Sequence, residues 1–217
     1  MPANSSFADT SIVACGTLQP EIRKLADEGF LDGARLLFTA PGLHEWPREL
    51  EVQLTRQLGK ACETSRRAIV AYGERCFIDV RDPLRTTDRL ISEVCTAGRR
   101  IGAAHCVDML ADRQERERLA AGKKVYWLTP GWLRHWDYIF KDWDAAMANE
   151  TFPQHDMAVV LDATGFFEAF SAQNPQRVLE ISDWMRLPIE AAPVSLERFG
   201  RLLAEAARPK AQEPRSI

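Results

Sequence analysis

The sequence predicts an α/β fold: a mostly parallel, doubly wound (Rossmann-like) sheet with helices on both faces. Three observations lead there. Short runs such as Ser11-Ile12-Val13-Ala14-Cys15 and Met157-Ala158-Val159-Val160-Leu161 are apolar at nearly every position, the pattern of strands buried on both faces. Longer stretches with apolar residues at helical spacing lie between these runs. Gly or Pro-Gly closes most of the runs, and such residues punctuate turns.

The elements follow in order. Residues 11–15 form the first strand, stopped by Gly16. Thr17, with Pro20 and Glu21 in the first turn, opens a helix that carries Ile22, Leu25 and Ala26 and ends at Gly29. Residues 34–40 are the second strand, closed by Pro41-Gly42. Residues 47–65 are helical, with Leu50, Leu54, Leu58 and Ala61 on one face. Residues 68–72 are the third strand, residues 86–97 a helix, and residues 100–104 a short fourth strand. A charged helix spans 106–119, and residues 125–128 form a fifth strand stopped by Pro130-Gly131. An aromatic-rich helix spans 132–147, residues 157–161 are the sixth strand, and 164–173 are helical. Val178-Leu179-Glu180-Ile181 reads as a seventh strand, and 195–207 as a last amphipathic helix. The domain reading is a flexible segment over 1–10, one α/β domain over 11–207 and a flexible tail over 208–217. A split into two sub-lobes near Gly122 is the alternative.

Composition narrows the function. Hydrophobic residues make up 46 % of the 217 and charged residues 27 %, enough for a core and incompatible with global disorder. The formal net charge is −3, which argues against a nucleic-acid surface. No run of apolar residues is long enough to span a membrane. Met1 to Thr10 carries no Lys or Arg and lacks an apolar export core, so the expected compartment is the cytoplasm. Five cysteines in a reducing compartment are expected to be buried, catalytic or metal-bound rather than paired.

The candidate chemistry is sulfur. Cys15 ends the first strand, Cys76 follows the third, and Cys106 follows the fourth, directly after His105. In a parallel sheet these carboxyl ends share one edge, where open α/β folds bind ligands. Cys15, Cys76 and Cys106, with His105, are therefore the candidate ligands of Zn²⁺ or another soft metal. Cys62 and Cys95, read as mid-helix, are expected in the core. His44 after the second strand, Thr129 and Trp132 after the fifth, and Asp162 after the sixth are candidates to bind a cofactor or small-molecule ligand. Trp132, Trp136, Phe140 and Trp143 form a stripe expected in the core or in a homo-oligomer contact. Neither GxGxxG nor a P-loop follows the first strand, and GxSxG is absent.

The same residues carry a family resemblance. Ala14-Cys15-Gly16-Thr17-Leu18, Leu43-His44 with Pro47, Tyr72-Gly73 before a Cys, His105-Cys106, and Tyr126-Trp127-Leu128-Thr129-Pro130-Gly131-Trp132 together resemble the DUF1638 family over about Ile12 to Ile181. The family pattern around the third strand resembles Tyr-Gly-x-Cys-Gly. That pattern is followed by another Gly; here Tyr72-Gly73-Glu74-Arg75-Cys76-Phe77 places the thiol one residue later and lacks both glycines, so the loop must take another path. The resemblance implies a setting in corrinoid-dependent methyl transfer, with a corrinoid protein or methyltransferase component as partner.

Three functions are weighed. A zinc-dependent protein of one-carbon metabolism would hold a thiol or methyl acceptor at the thiolate cluster. A non-catalytic accessory or chaperone would present His44, Trp132 and Asp162 to a corrinoid-system partner or cofactor. A redox protein would use low-pKa thiols at strand ends.

Overall fold

A computed structural model describes residues 7–77, 79, 82 and 84–208; the expected flexible ends beyond these bounds lie outside the described residues. Seven strands form two parallel sheets. β1 (Thr10–Ala14), β2 (Arg35–Phe38), β3 (Arg67–Ala71) and β4 (Gly98–Arg100) are ordered β2-β1-β3-β4. β5 (Val125–Leu128), β6 (Met157–Asp162) and β7 (Ile189–Pro193) are ordered β5-β6-β7. The chain passes from the first sheet to the second between β4 and β5, a stretch that contains Gly122.

Helices connect and cover the strands. α1 (Gln19–Asp27), α2 (Pro47–Thr64) and α3 (Thr87–Val94) join the strands of the first sheet. α4 (Cys106–Leu110) and α5 (Arg113–Ala120) lead to β5. α6 (Pro130–Arg134), α7 (Trp136–Ile139) and α8 (Ala145–Thr151) follow β5. α9 (Phe166–Gln173) and α10 (Pro175–Met185) join β6 to β7, and α11 (Glu197–Ala207) closes the described fold.

The period of two in the central strands sets the packing. Ile12 and Ala14 of β1 face one core, and Val13 faces another together with Leu50, Leu54 and Leu58 of α2. In β6, Val159 and Leu161 join the core of Ile12 and Ala14, while Ala158 and Val160 face Trp132, Trp136 and Phe152. The first core therefore fuses both sheets, with Ile22 and Leu25 of α1 and Phe199 and Leu203 of α11 filling it. Every one of these side chains is nearly or fully buried. Among the described residues no helix is long and apolar enough to cross a membrane.

Several elements differ from the sequence reading, each for a physical reason. Residues 178–181 are not a strand; they lie inside α10, which Pro175 starts at a favoured first-turn position. The seventh strand is Ile189–Pro193, an edge strand where Pro193 removes no needed ladder donor. β4 sits earlier, at Gly98–Arg100, a polar edge with little apolar signal. The helix expected over 132–147 is broken into α6, α7 and the start of α8, and the one over 106–119 into α4 and α5. Cys62 is exposed and forms a disulfide with Cys95, which caps the end of α3 rather than lying within it. The expectation of two unpaired core thiols is thereby corrected, since their Cα atoms stand 5.8 Å apart, within disulfide reach.

Candidate thiol centre

The carboxyl ends of β1, β3 and β4 carry Cys15, Cys76 and Cys106, and the fold brings the three together. The thiols are close enough to act on one another by charge: Cys15 raises the pKa of Cys76 and of Cys106, and Cys76 raises that of Cys106. All three are free thiols.

Backbone close approach makes this convergence possible. At the end of β3, a Cβ on Gly73 would lie 2.2 Å from the Ala104 carbonyl oxygen, so only glycine lets the Cys76 turn press against the segment leading to Cys106. Two main-chain bonds seal the contact, Glu74 N–H to the Ala103 carbonyl at 2.9 Å and Arg75 N–H to the Ala104 carbonyl at 3.0 Å. The second sheet is joined to the same edge. Thr129 Oγ1, after β5, donates to the Thr17 carbonyl at 3.1 Å. A Cβ on Gly131 would lie 2.1 Å from that same oxygen. The fifth strand's turn therefore seats α6, with Trp132, over the thiols.

Hydrogen-bond donors converge on the sulfurs. Thr17 Oγ1 donates to Cys15 Sγ at 3.1 Å, and Gly73 N–H donates to Cys76 Sγ at 3.2 Å. The main-chain N–H of Cys106 also favours the Cys76 thiolate, and Arg100 favours it by charge. The Cys106 thiolate is favoured by the Val107 N–H and the Trp132 side chain. Tyr72, fully buried at the end of β3, bonds the Thr39 hydroxyl and stands beside Cys15. Burial dominates in the absence of a cation. It pushes the Cys76 thiol up to about 12, with the Cys15 charge adding to it. It likewise pushes up Cys106, and the Tyr72 hydroxyl.

A polar rim surrounds Trp132. The His44 ring lies 5.3 Å from the Trp132 ring, and His44 Nε2 stands 3.3 Å from Glu45 Oε1. Trp143 Nε1 donates to Glu45 Oε2 at 3.3 Å. Burial raises the Glu45 pKa, but His44 and Trp143 outweigh it, and the carboxyl titrates below its usual range. Tyr126 of β5 packs edge-on against Phe152 and His155; burial raises its hydroxyl, and the charges of Glu45 and Cys106 raise it further. Glu45 also lines a surface hollow of about 740 Å³ with Trp46, Tyr138 and Lys141.

The candidates from the sequence thus separate. Cys15, Cys76, Cys106 and Trp132 meet; Thr129 anchors the joint; His44 stands at the rim. His105 is exposed at the head of α4, where its main-chain N–H bonds Asp108, and its imidazole is not among the groups acting on Cys76 or Cys106. Asp162 ends β6 and accepts from Thr164 and Phe167, so it serves its own turn. Among the described residues no group of three His, Cys, Asp or Glu side chains forms a ready-made metal-ligand set. The stripe from Trp132 to Phe140 is core, packed on Phe152 and Trp184. Sequence reasoning missed Tyr126, Glu45 and Arg100. Tyr126 had a readable signal, an amphipathic phenol one strand position from the Trp-rich turn.

The fold and site together define a two-sheet parallel α/β protein with three free thiols at its carboxyl edge, Cys15 buried and Cys76 and Cys106 half-buried. The model of the family described as "Protein of unknown function (DUF1638)" matches residues 38–203, more than half of the chain, and the chain belongs to that family. The match begins at the end of β2, so β1 and Cys15 lie outside it. No curated protein and no solved structure matches the chain.

Proposed function

We propose that this chain is a thiolate metal-centre protein in which Cys15, Cys76 and Cys106 hold a soft divalent cation, zinc foremost. The observation that carries this reading is the convergence of three thiols from three strand ends, with donors aimed at their sulfurs. Neutral buried thiols gain little from such donors, whereas thiolates on a cation are oriented and tuned by them. The side chains must turn inward to ligate, because they do not form a ready-made set. Three thiolates in a four-coordinate shell leave one place for an exogenous ligand, and a bound cation would lower that ligand's pKa.

The chain's own residues would do the rest. Thr17, the Gly73 N–H and Trp132 hold the sulfurs in place. Trp132 and Tyr126 shield the centre from water, and His44 with Glu45 borders the way in from the surface. The ligand class we infer is a thiol or another methyl acceptor. The resemblance to the family supplies the setting: corrinoid-linked one-carbon transfer, with a corrinoid protein or methyltransferase component as partner.

Elemental analysis of protein purified without air or chelator tests this. One metal per chain, lost in Cys15→Ser and in Cys106→Ser, is the expected result. Protein that takes up no metal even after anaerobic incubation with zinc or cobalt(II) would overturn it.

A further inference from the structure

Glu21 is the least satisfied charged side chain in the described fold. It sits in the first turn of α1, fully buried, and neither carboxyl oxygen has a hydrogen-bond partner beyond the influence of its own main-chain N–H. A buried polar group in this state costs free energy unless it is neutral or acquires a partner. Two charged groups face it, both from the second half of the chain: Asp162 at the end of β6 and Arg134 at the end of α6. Asp162 is committed, since Oδ1 accepts from the Thr164 N–H and hydroxyl and Oδ2 from the Phe167 N–H. Arg134 is not committed to an acid. Its guanidinium carbon lies 5.1 Å from the centre of the Phe166 ring, and among the described residues it has no ion pair. His135 beside it is kept neutral to lower pH by burial and by the Arg134 charge.

We propose that Glu21 and Arg134 are a latent ion pair that couples a proton to the position of α6. With Glu21 protonated, Arg134 rests on Phe166, a cation over an aromatic face. When Glu21 gives its proton to solvent, a bare carboxylate stands buried near Asp162, and the cation whose charge acts on it is Arg134. The guanidinium leaves the ring and pairs with Glu21. Trp132 lies two residues before Arg134 in the same short helix, so the shift carries the indole over the thiols with it.

Geometry places the switch. Burial raises the Glu21 pKa most, its own main-chain N–H lowers it, the Asp162 charge raises it and the Arg134 charge lowers it, leaving it at about 8. The arrangement therefore changes state under mildly alkaline conditions. It needs no metal and stands apart from the function proposed above.

The test follows the six Trp indole N–H resonances by NMR from pH 6 to pH 10, with Trp132→Phe assigning the relevant one. The expected result is a Trp132 shift centred near pH 8 in the native protein and absent in Glu21→Gln, which holds the protonated arrangement at every pH. Arg134→Met is expected to remove the shift while leaving Glu21 to titrate, as seen in its carboxyl ¹³C resonance. Amide exchange over Trp132–His135 in the same samples gives a second readout. A Trp132 shift that persists in Glu21→Gln would assign it to the thiols and overturn the proposal, as would a native protein with no shift.

Discussion

The Thr129 hydroxyl donates to the Thr17 carbonyl across 3.1 Å and 112 residues of sequence, and both groups are buried. This bond joins the carboxyl ends of the two sheets. Thr129→Val keeps the shape but leaves the Thr17 carbonyl without that donor. The expected cost is about 1–3 kcal/mol, the range for an unsatisfied buried acceptor. Urea unfolding measures it, and Thr129→Ser is expected to recover most of the loss.

Gly73 is a second point of closure. An Ala there would place its Cβ 2.2 Å from the Ala104 backbone oxygen, and no flexible side chain can yield. Gly73→Ala is expected to destabilise the fold by about 3 kcal/mol or more, in the upper range of overpacking costs. It should also separate the Cys76 turn from Cys106, which is seen as faster alkylation of both thiols. A variant with native stability and native thiol protection would contradict the account of how these turns meet.

The disulfide closes a loop with a sequence separation of 33 between Cys62 and Cys95. Chain-entropy arguments give such a loop about 3–4 kcal/mol of stabilisation. Unfolding in reductant, or of the Cys62→Ser/Cys95→Ser double variant, should show a loss of that order. Thiol titration of the unfolded, unreduced protein should find three free thiols of the five cysteines.

Glu21 makes stability fall with rising pH. Its pKa is near the ordinary carboxylate value of 4.5 when unfolded and about 8 when folded. The folded state thus holds a proton the unfolded state has lost. The contribution is full below pH 4.5, declines between 4.5 and 8, and is gone above 8. At about 1.4 kcal/mol per unit, the whole window is worth on the order of 5 kcal/mol. Glu21→Gln should remove this slope and stabilise the protein at pH 8 and above, as measured by urea unfolding at several pH values.

How far the sequence could be read depended on whether the signal was local. β1, β3 and β6 were legible because they are central strands, buried on both faces, each with an apolar run of three residues or more. Val178–Ile181 misled because a four-residue β-branched run cannot be told from a buried helical segment by periodicity alone. β4 was displaced because Gly98-Arg99-Arg100 is a polar edge. The three free thiols were legible from their place at strand ends, since parallel strands share a carboxyl edge. The groups around them were not. Trp132 reaches the thiols only through the joining of two sheets, a contact without sequence spacing, whereas Thr17 bonds Cys15 within its own turn. Glu21 reads in sequence as an ordinary acidic residue favouring a helix N-terminus, and only burial marks it out.

The measurement closest to the central claim is X-ray absorption at the metal edge of protein loaded anaerobically with one equivalent of zinc. The account predicts a shell of three sulfurs at about 2.3 Å, reduced to two in Cys106→Ser. A shell of oxygen and nitrogen alone, or no retained zinc, would contradict it.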